Sequence, residues 1–277
     1  MRNNRLNDLS GAEWLFWTST LYETSFPPDA THRLRKEHGA MKPPELMAEI
    51  IRFFTKENQV VLDPFAGVGG TLLGAALCGR HAVGIELNPR WIEVYLRLQR
   101  EFVSAGDRLV KREENPDGAA ITGRMVAGDC LTVMRGMEPE SVDAIVTDPP
   151  YGWGHGPTGF KHETNFAMLN ETAADDFGNA DNLGEYLGLI RKFGLAAARL
   201  LHSGSYLVMI IGDRYKDGEY IPLGVMTADT LRATGFQFKG MRLWWNKATQ
   251  RPLKPYAIGS VFVPNITHQN ILVLRRT

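Results

Sequence analysis

VVLDPFAGVGGT, residues 60–71, is the stretch on which the reading of this chain turns. Val60, Val61 and Leu62 are a short apolar run of strand size; Asp63 and Pro64 end it, and Gly67, Gly69 and Gly70 crowd a turn before an apolar stretch, 71–78, with helical spacing. Glycine in such a turn allows backbone conformations closed to other residues and lets a ligand approach the main chain. Outward from this point, 82–85 reads as a second strand, and Pro89 opens a helix to about residue 102 with Trp91, Ile92, Val94, Tyr95 and Leu98 on its apolar side. Upstream, Pro44 suits a first helical turn before Leu46, Met47, Ile50, Ile51 and Phe54. Downstream, strands are expected near 123–127, 143–147, 206–211, 236–245 and 270–274, with helices over 183–201 and 226–233; the polar stretch 106–118 reads as a loop. Strands alternating with helices predict an α/β fold, a parallel sheet covered on both faces and closed by antiparallel strands at its end.

Composition agrees with a folded chain. Of 277 residues, 44% are apolar and 22% charged, enough for a sizeable core. No apolar run approaches the roughly 18 residues of a membrane helix, and the N-terminus lacks an apolar stretch of secretory length, so the expected location is the cytoplasm with no membrane partner. The two cysteines, Cys78 and Cys130, cannot build a disulfide scaffold, and no CxxC or HExxH spacing offers a metal site. Residues 1–37, with Trp14, Phe16 and Trp17, read as an N-terminal extension packed on a main domain over 38–277. The net charge of zero hides an asymmetry: from Thr230 onward there are eight bases and no acid, which points to a polyanion at that end.

Glu86 ends the second strand 19 positions after Gly67, the distance at which an acid reaches the ribose hydroxyls of a bound nucleoside. Glycine turn and acid together indicate an adenosine-containing cofactor. The turn is GxGG rather than the GxGxxG of a dinucleotide site, and Asp63 at its mouth would repel a pyrophosphate while suiting the ammonium and sulfonium charges of S-adenosyl-L-methionine. Asp129, in Gly128-Asp129-Cys130, either accepts from an adenine amine or caps the helix that begins near Leu131; the residues leave both readings open.

The strand 144–147 runs into Asp148, Pro149, Pro150, Tyr151 and Gly152, a stiff loop at a strand's carboxyl end, where α/β sheets place their chemistry. An exocyclic amine on a nucleobase has its lone pair delocalised into the ring and is a poor nucleophile until acceptors hold its hydrogens. The Asp148 carboxylate and the Pro149 carbonyl can accept those two hydrogens while Tyr151 stacks on the ring, so positioning supplies much of the effect. The target base has to be flipped from a duplex or be single-stranded already.

DPFAGVGGT, GIELNP, AGDC and DPPYG, in this order and spacing, resemble the DNA amino-methyltransferases that make N6-methyladenine or N4-methylcytosine, over about residues 38–277. The resemblance implies a Rossmann-like S-adenosylmethionine-dependent methyltransferase fold with a mostly parallel seven-stranded sheet. It also implies cofactor contacts from Asp63, Pro64, Phe65, Ala66, Gly67, Gly69, Glu86, Leu87, Asp129, Cys130 and Asp148, and target-amine contacts from Asp148, Pro149, Pro150 and Tyr151. A family segment that usually reads HPTxKP and contacts the methionine part is here His38, Gly39, Ala40, Met41, Lys42, Pro43, which keeps His38 and Lys42 but lacks the threonine hydroxyl. The closing HQNILVLRR looks like the family's last hairpin.

No large recognition domain fits between Gly70 and Asp148, so target recognition is expected in loops 152–184 and 213–264. Trp153, Trp244, Trp245, Lys247, Arg251 and Lys254 are the candidate nucleic-acid contacts, basic residues and aromatics suiting phosphates and bases, although one of the adjacent Trp244 and Trp245 should face the core. The expected partner is double-stranded DNA; a homodimer is neither required nor excluded. Within the family that the chain resembles, aspartate at the first catalytic position is commoner for adenine and serine for cytosine-N4, so the resemblance implies adenine-N6 methylation, with cytosine-N4 in DNA and then an RNA amino-methyltransferase as alternatives. C5-cytosine methylation is disfavoured because neither cysteine follows a proline. A non-catalytic DNA-binding module is a weaker reading, since Asp63, Glu86, Asp129 and Asp148 are all present, and a dinucleotide oxidoreductase is weaker still, given the GxGG turn preceded by Asp63.

Overall fold

The computed structural model of the chain describes residues 4–151, 177–249 and 253–277. Eight strands form one sheet: β1 (Leu21–Thr24), β2 (Val60–Asp63), β3 (His81–Glu86), β4 (Arg124–Ala127), β5 (Val142–Thr147), β6 (Leu201–Ile211), β7 (Phe236–Asn246) and β8 (Gln269–Arg276). Their spatial order is β1-β7-β8-β6-β5-β2-β3-β4. Neighbours pair in parallel except β8, which is antiparallel to both β6 and β7. Helices α1 (Gly11–Trp17), α2 (Pro44–Phe54), α3 (Gly70–Leu77), α4 (Pro89–Glu101), α5 (Cys130–Gly136), α6 (Leu183–Leu200) and α7 (Leu223–Arg232) complete the architecture.

Patterning explains the layers. In β6 the continuous run 207–211 is wholly buried, with Val208 and Ile210 in one core cluster and Leu207, Met209 and Ile211 in the other, as expected of a strand covered on both faces. Leu46, Ile50 and Phe54 of α2 pack in the first cluster, and Ile190, Phe193 and Ala197 of α6 in the second. From β2 the chain winds to β3 and β4, then returns to β5 and β6 on the other side of β2. Order therefore reverses between β2 and β5, and the crevice at their carboxyl ends is where such sheets bind ligands. Because β8 is antiparallel, its first residues lie at that same end: Asn270 stands opposite Ile211.

Three expectations change. The sheet has eight strands rather than seven, and the eighth, β1, comes from the segment read as an extension; it pairs in parallel with β7, Leu21 opposite Leu243. Trp17 stacks on Phe53 at 4.7 Å, and the Arg242 guanidinium lies 4.0 Å from the ring centres of both Trp17 and Tyr22. Asn7 donates to the Phe53 carbonyl at 2.6 Å. Residues 4–37 are thus part of the main core, which a local reading missed because their partners lie as far as 223 residues away. The polar stretch 106–118 is not a plain loop either: Phe102–Ala105, Arg108–Lys111 and Ala119–Ala120 form a small three-stranded antiparallel sheet. Among the described residues, no helix is long and apolar enough to cross a membrane.

Truncating Trp17 to alanine should cost about 3–5 kcal/mol, the usual price of removing a buried aromatic, seen as a lower denaturation midpoint; an unchanged midpoint would mean that α1 and β1 are dispensable.

Candidate active site

The glycine turn is fixed by charges as much as by glycine. Asp63, 3% exposed at the end of β2, accepts from the Thr71 hydroxyl at 2.5 Å, the Thr147 hydroxyl at 2.6 Å and the Phe65 amide at 3.1 Å. Burial still pushes its carboxyl up to about 6. Where the sequence reading set this charge against a cofactor, the fold engages it with its own hydroxyls, tying β2 to α3 and β5. Gly67 and Gly69 take left-handed conformations (φ 50° and 81°). Glu86 closes the turn: one oxygen accepts from the Gly67 amide and the other from the Asn88 amide, each at 2.7 Å. A Cβ on Gly69 would come within 2.2 Å of the Tyr95 ring, which is locked by a 2.9 Å hydrogen bond to the Gly123 carbonyl.

The segment 38–43 lies across this turn. A Cβ on Gly67 would sit 2.7 Å from His38 Nε2, and one on Gly70 3.2 Å from the Lys42 carbonyl oxygen. Burial, aided by the Lys42 and Arg35 charges, lowers the His38 pKa to about 4, so the ring is neutral; its Nδ1 is buried and finds no partner among the described residues. Arg35, 1% exposed, anchors the segment: it pairs with Asp29 at 2.5 Å, donates to Thr31 Oγ1 at 2.8 Å and to the Lys42 carbonyl at 3.0 Å.

From that anchored backbone the Lys42 side chain reaches the DPPY loop. Its ammonium pairs with Asp148 Oδ2 and donates to the Tyr151 hydroxyl at 3.0 Å. Tyr151 donates to Asp148 Oδ1 and accepts from Gln269 Nε2 at 2.6 Å. Desolvation raises the Asp148 pKa, and the Lys42 charge acts against it; burial and Asp148 together hold Tyr151 well above an ordinary phenol. The Tyr186 hydroxyl donates to the Pro150 carbonyl at 2.9 Å and Arg214 to the Tyr151 carbonyl at 3.1 Å, so the loop carrying Pro149 is fastened at its main chain.

The other predicted residues divide. Pro64, Ala66, Gly67 and Gly69 are buried in the turn, and Phe65 packs edge-on to Phe177 at 4.9 Å. Leu87 is half-buried beyond β3. Asp129 caps α5, accepting from the Thr132 amide at 2.7 Å, and Cys130 is that helix's buried first residue. Trp244 is corrected: it is 3% exposed and donates to the Thr24 hydroxyl at 2.8 Å, a core residue rather than a nucleic-acid contact, because side chains alternate along β7. Trp245 faces the other way beside Lys247, whose ammonium also pairs with Glu23. Lys254 is exposed at a turn closed by Asn265. Trp153 and Arg251 lie outside the described residues. Arg35, Thr147, Tyr186 and Gln269 were not singled out; nothing local marks a glutamine 118 residues from its tyrosine partner.

Residues 8–97 match the sequence profile of the N6/N4 DNA methylases, described as DNA methylase. The chain is 55% identical over 51 residues to the type II methyltransferase M.HindIII of Haemophilus influenzae, covering 18% of this chain and 16% of that protein. It is 33% identical over 114 residues to the tRNA (guanine(10)-N2)-dimethyltransferase of Methanocaldococcus jannaschii, covering 41% of this chain and 29% of that one. Among solved structures it is similar to TrmN from Thermus thermophilus, with a TM-score of 0.48, 15% identity, and coverage of 84% and 48% of the two chains. Within residues 8–97 the chain is thus similar to the N6/N4 DNA methylases. It spans less than a third of the length of either curated relative. The profile match begins at residue 8, inside the segment first read as an extension.

Two outcomes follow from this geometry. Because the folded His38 pKa lies below its ordinary 6.5, neutral His38 contributes stability that is present above about pH 6.5 and is lost as pH falls toward 4; His38→Phe should flatten that part of a stability-against-pH curve. Gly69→Ala should destabilise by more than about 1 kcal/mol, since both backbone strain and the Tyr95 ring oppose it; a wild-type melting temperature would contradict the packing.

Proposed function

We propose that the chain transfers a methyl group from S-adenosyl-L-methionine to the exocyclic amine of a nucleobase, with N6 of adenine in double-stranded DNA as the leading substrate and the target base flipped out to reach the site. The observation that carries this reading is the Asp148 carboxylate, 16% exposed at the carboxyl end of β5 beside Lys42 and Tyr151 and one residue beyond the Thr147–Asp63 bond to the glycine turn. A hydrogen-bond acceptor in a rigid, desolvated loop is what an amine of low nucleophilicity requires.

The residues present fit an adenosine-bearing methyl donor. Gly67 and Gly69 keep the backbone of the turn free of side chains, with His38 and Tyr95 packed against it, Glu86 offers a carboxylate held by two amides, and His38 Nδ1, buried with no partner among the described residues, lies beside the same turn. S-adenosyl-L-methionine, when bound, supplies a methyl group on a sulfonium that is displaced directly. Asp148 orients the target amine by accepting one hydrogen, with the Pro149 carbonyl as the second acceptor. Tyr151, its hydroxyl held by three partners, presents a ring fixed for stacking. The proton shed by the amine after transfer has Asp148 as its nearest acceptor.

Cytosine-N4 in DNA would use the same geometry with a different pocket, and RNA is favoured by one particular finding, the similarity to tRNA guanine-N2 dimethyltransferases over 41% of the chain. Labelled S-adenosyl-L-methionine, unmethylated duplex DNA and RNA, followed by nucleoside mass spectrometry, separates these: N6-methyladenine from DNA is expected, and label confined to RNA would overturn the choice of substrate. Asp148→Ala should reduce transfer at least about a hundredfold and leave cofactor affinity within a few-fold. Glu86→Ala should weaken cofactor binding about tenfold or more, as loss of a hydrogen bond to a charged group does; equal loss of both functions in both variants would refute the division of roles.

A further inference from the structure

Lys42 stands in a segment whose family resemblance assigns it to the cofactor, yet its ammonium is turned to the other side of the site. The side chain is 9% exposed, pairs with Asp148 Oδ2 and donates to the Tyr151 hydroxyl at 3.0 Å. An ammonium has three donors, and two are committed to the catalytic loop. Each carboxylate oxygen of Asp148 takes one donor, Lys42 on one and Tyr151 on the other, so each keeps a second lone pair for a target amine. The direction in which Lys42 points is set behind it. The Lys42 carbonyl is held at 3.0 Å by Arg35, which is itself fixed by Asp29 and Thr31.

We propose that Lys42 is a positioning residue for Asp148, holding the carboxylate in place and in its charged form, and that Arg35 positions Lys42 in turn. This rests on the methyltransferase reading for its consequence, though not for its geometry. Burial without a counter-charge shifts a carboxylate toward its protonated form, and a protonated Asp148 would offer its hydrogen where an acceptor is needed. Of the other groups around it, the Tyr151 hydroxyl also favours the charged form by donating to Oδ1, and burial opposes it. Asp63, one hydroxyl away through Thr147, carries the same sign; Tyr151 and Tyr186 are neutral phenols; Arg214 donates to the Tyr151 main chain; neutral His38 and charged Arg35 lie on the far side of Lys42. Gln269 braces the tyrosine from β8 without adding charge.

The test compares wild type, Lys42→Met and Lys42→Arg in three measurements. Carboxyl carbon NMR of aspartate-labelled protein, with Asp148→Asn to assign the signal, reads the protonation of Asp148 directly and does not depend on activity. Lys42→Met should move that titration up by about one pH unit or more, as loss of an adjacent opposite charge does, and Lys42→Arg should restore most of it. Calorimetry with S-adenosyl-L-methionine should give an affinity within about threefold of wild type for Lys42→Met, while the acid limb of kcat/KM moves up with the Asp148 titration. If Lys42→Met proves unfolded by near-ultraviolet circular dichroism, Arg35→Lys, which leaves the ammonium but loosens its anchor, should shift the Asp148 signal in the same direction. An unmoved Asp148 titration, or an unmoved titration with tenfold weaker cofactor binding, overturns the proposal. A wild type that methylates no nucleic acid overturns the functional reading instead, and the NMR titration still decides whether Lys42 controls Asp148.

Discussion

The buried carboxylate of Asp63 is the constraint on which the rest of the site depends. A charge so withdrawn from water has to be met by donors, and the three it finds come from different elements: Thr147 at the end of β5, Thr71 in the first turn of α3, and the Phe65 amide in the turn itself. Those bonds pull together the two strands at which the sheet changes direction, and they set where the glycine turn begins. Once β2 and β5 are joined in this way, the Asp148 loop and the glycine turn must open into the same crevice.

Two aspartates therefore sit at adjacent strand ends under opposite demands. Asp63 is met by hydroxyls and an amide, its carboxyl is held up at about 6, and it serves the fold. Asp148 is met by a lysine and a tyrosine, with lone pairs left over, and is the acceptor that the proposed function assigns to the target amine. Environment rather than residue type separates their roles, as it does wherever paired carboxylates divide structural and reactive work. The cation that makes the difference arrives from the segment 38–43, whose course is fixed by the buried Arg35 and Asp29 pair. Residues once set apart as an extension thus belong both to the core, through Trp17 and Tyr22, and to the site, through Arg35.

Much of the fold was legible because it rests on local patterns. Strand–turn–helix order around 60–71, the proline-led helices α2 and α4, and the antiparallel close at β8 all follow from periodicity and from residues with special backbones. So do the main site motifs, since Asp148 to Tyr151 and Gly67 to Gly69 lie in unbroken runs whose rigidity or openness is a property of the residues themselves. The strand β1 was not legible: four residues at a sheet edge carry too short a pattern, and their neighbours in β7 are more than 200 positions away.

What the sequence by itself determined was the class of fold and the end of the sheet at which the glycine turn and the Asp148 loop open. Tertiary structure alone decided what each charge faces. Asp63 meets threonines, Lys42 meets Asp148, Gln269 meets Tyr151 and Trp244 meets Thr24, because hydrogen bonds and burial join residues by distance in space, and a chain wound back on itself brings together side chains that no spacing along it relates.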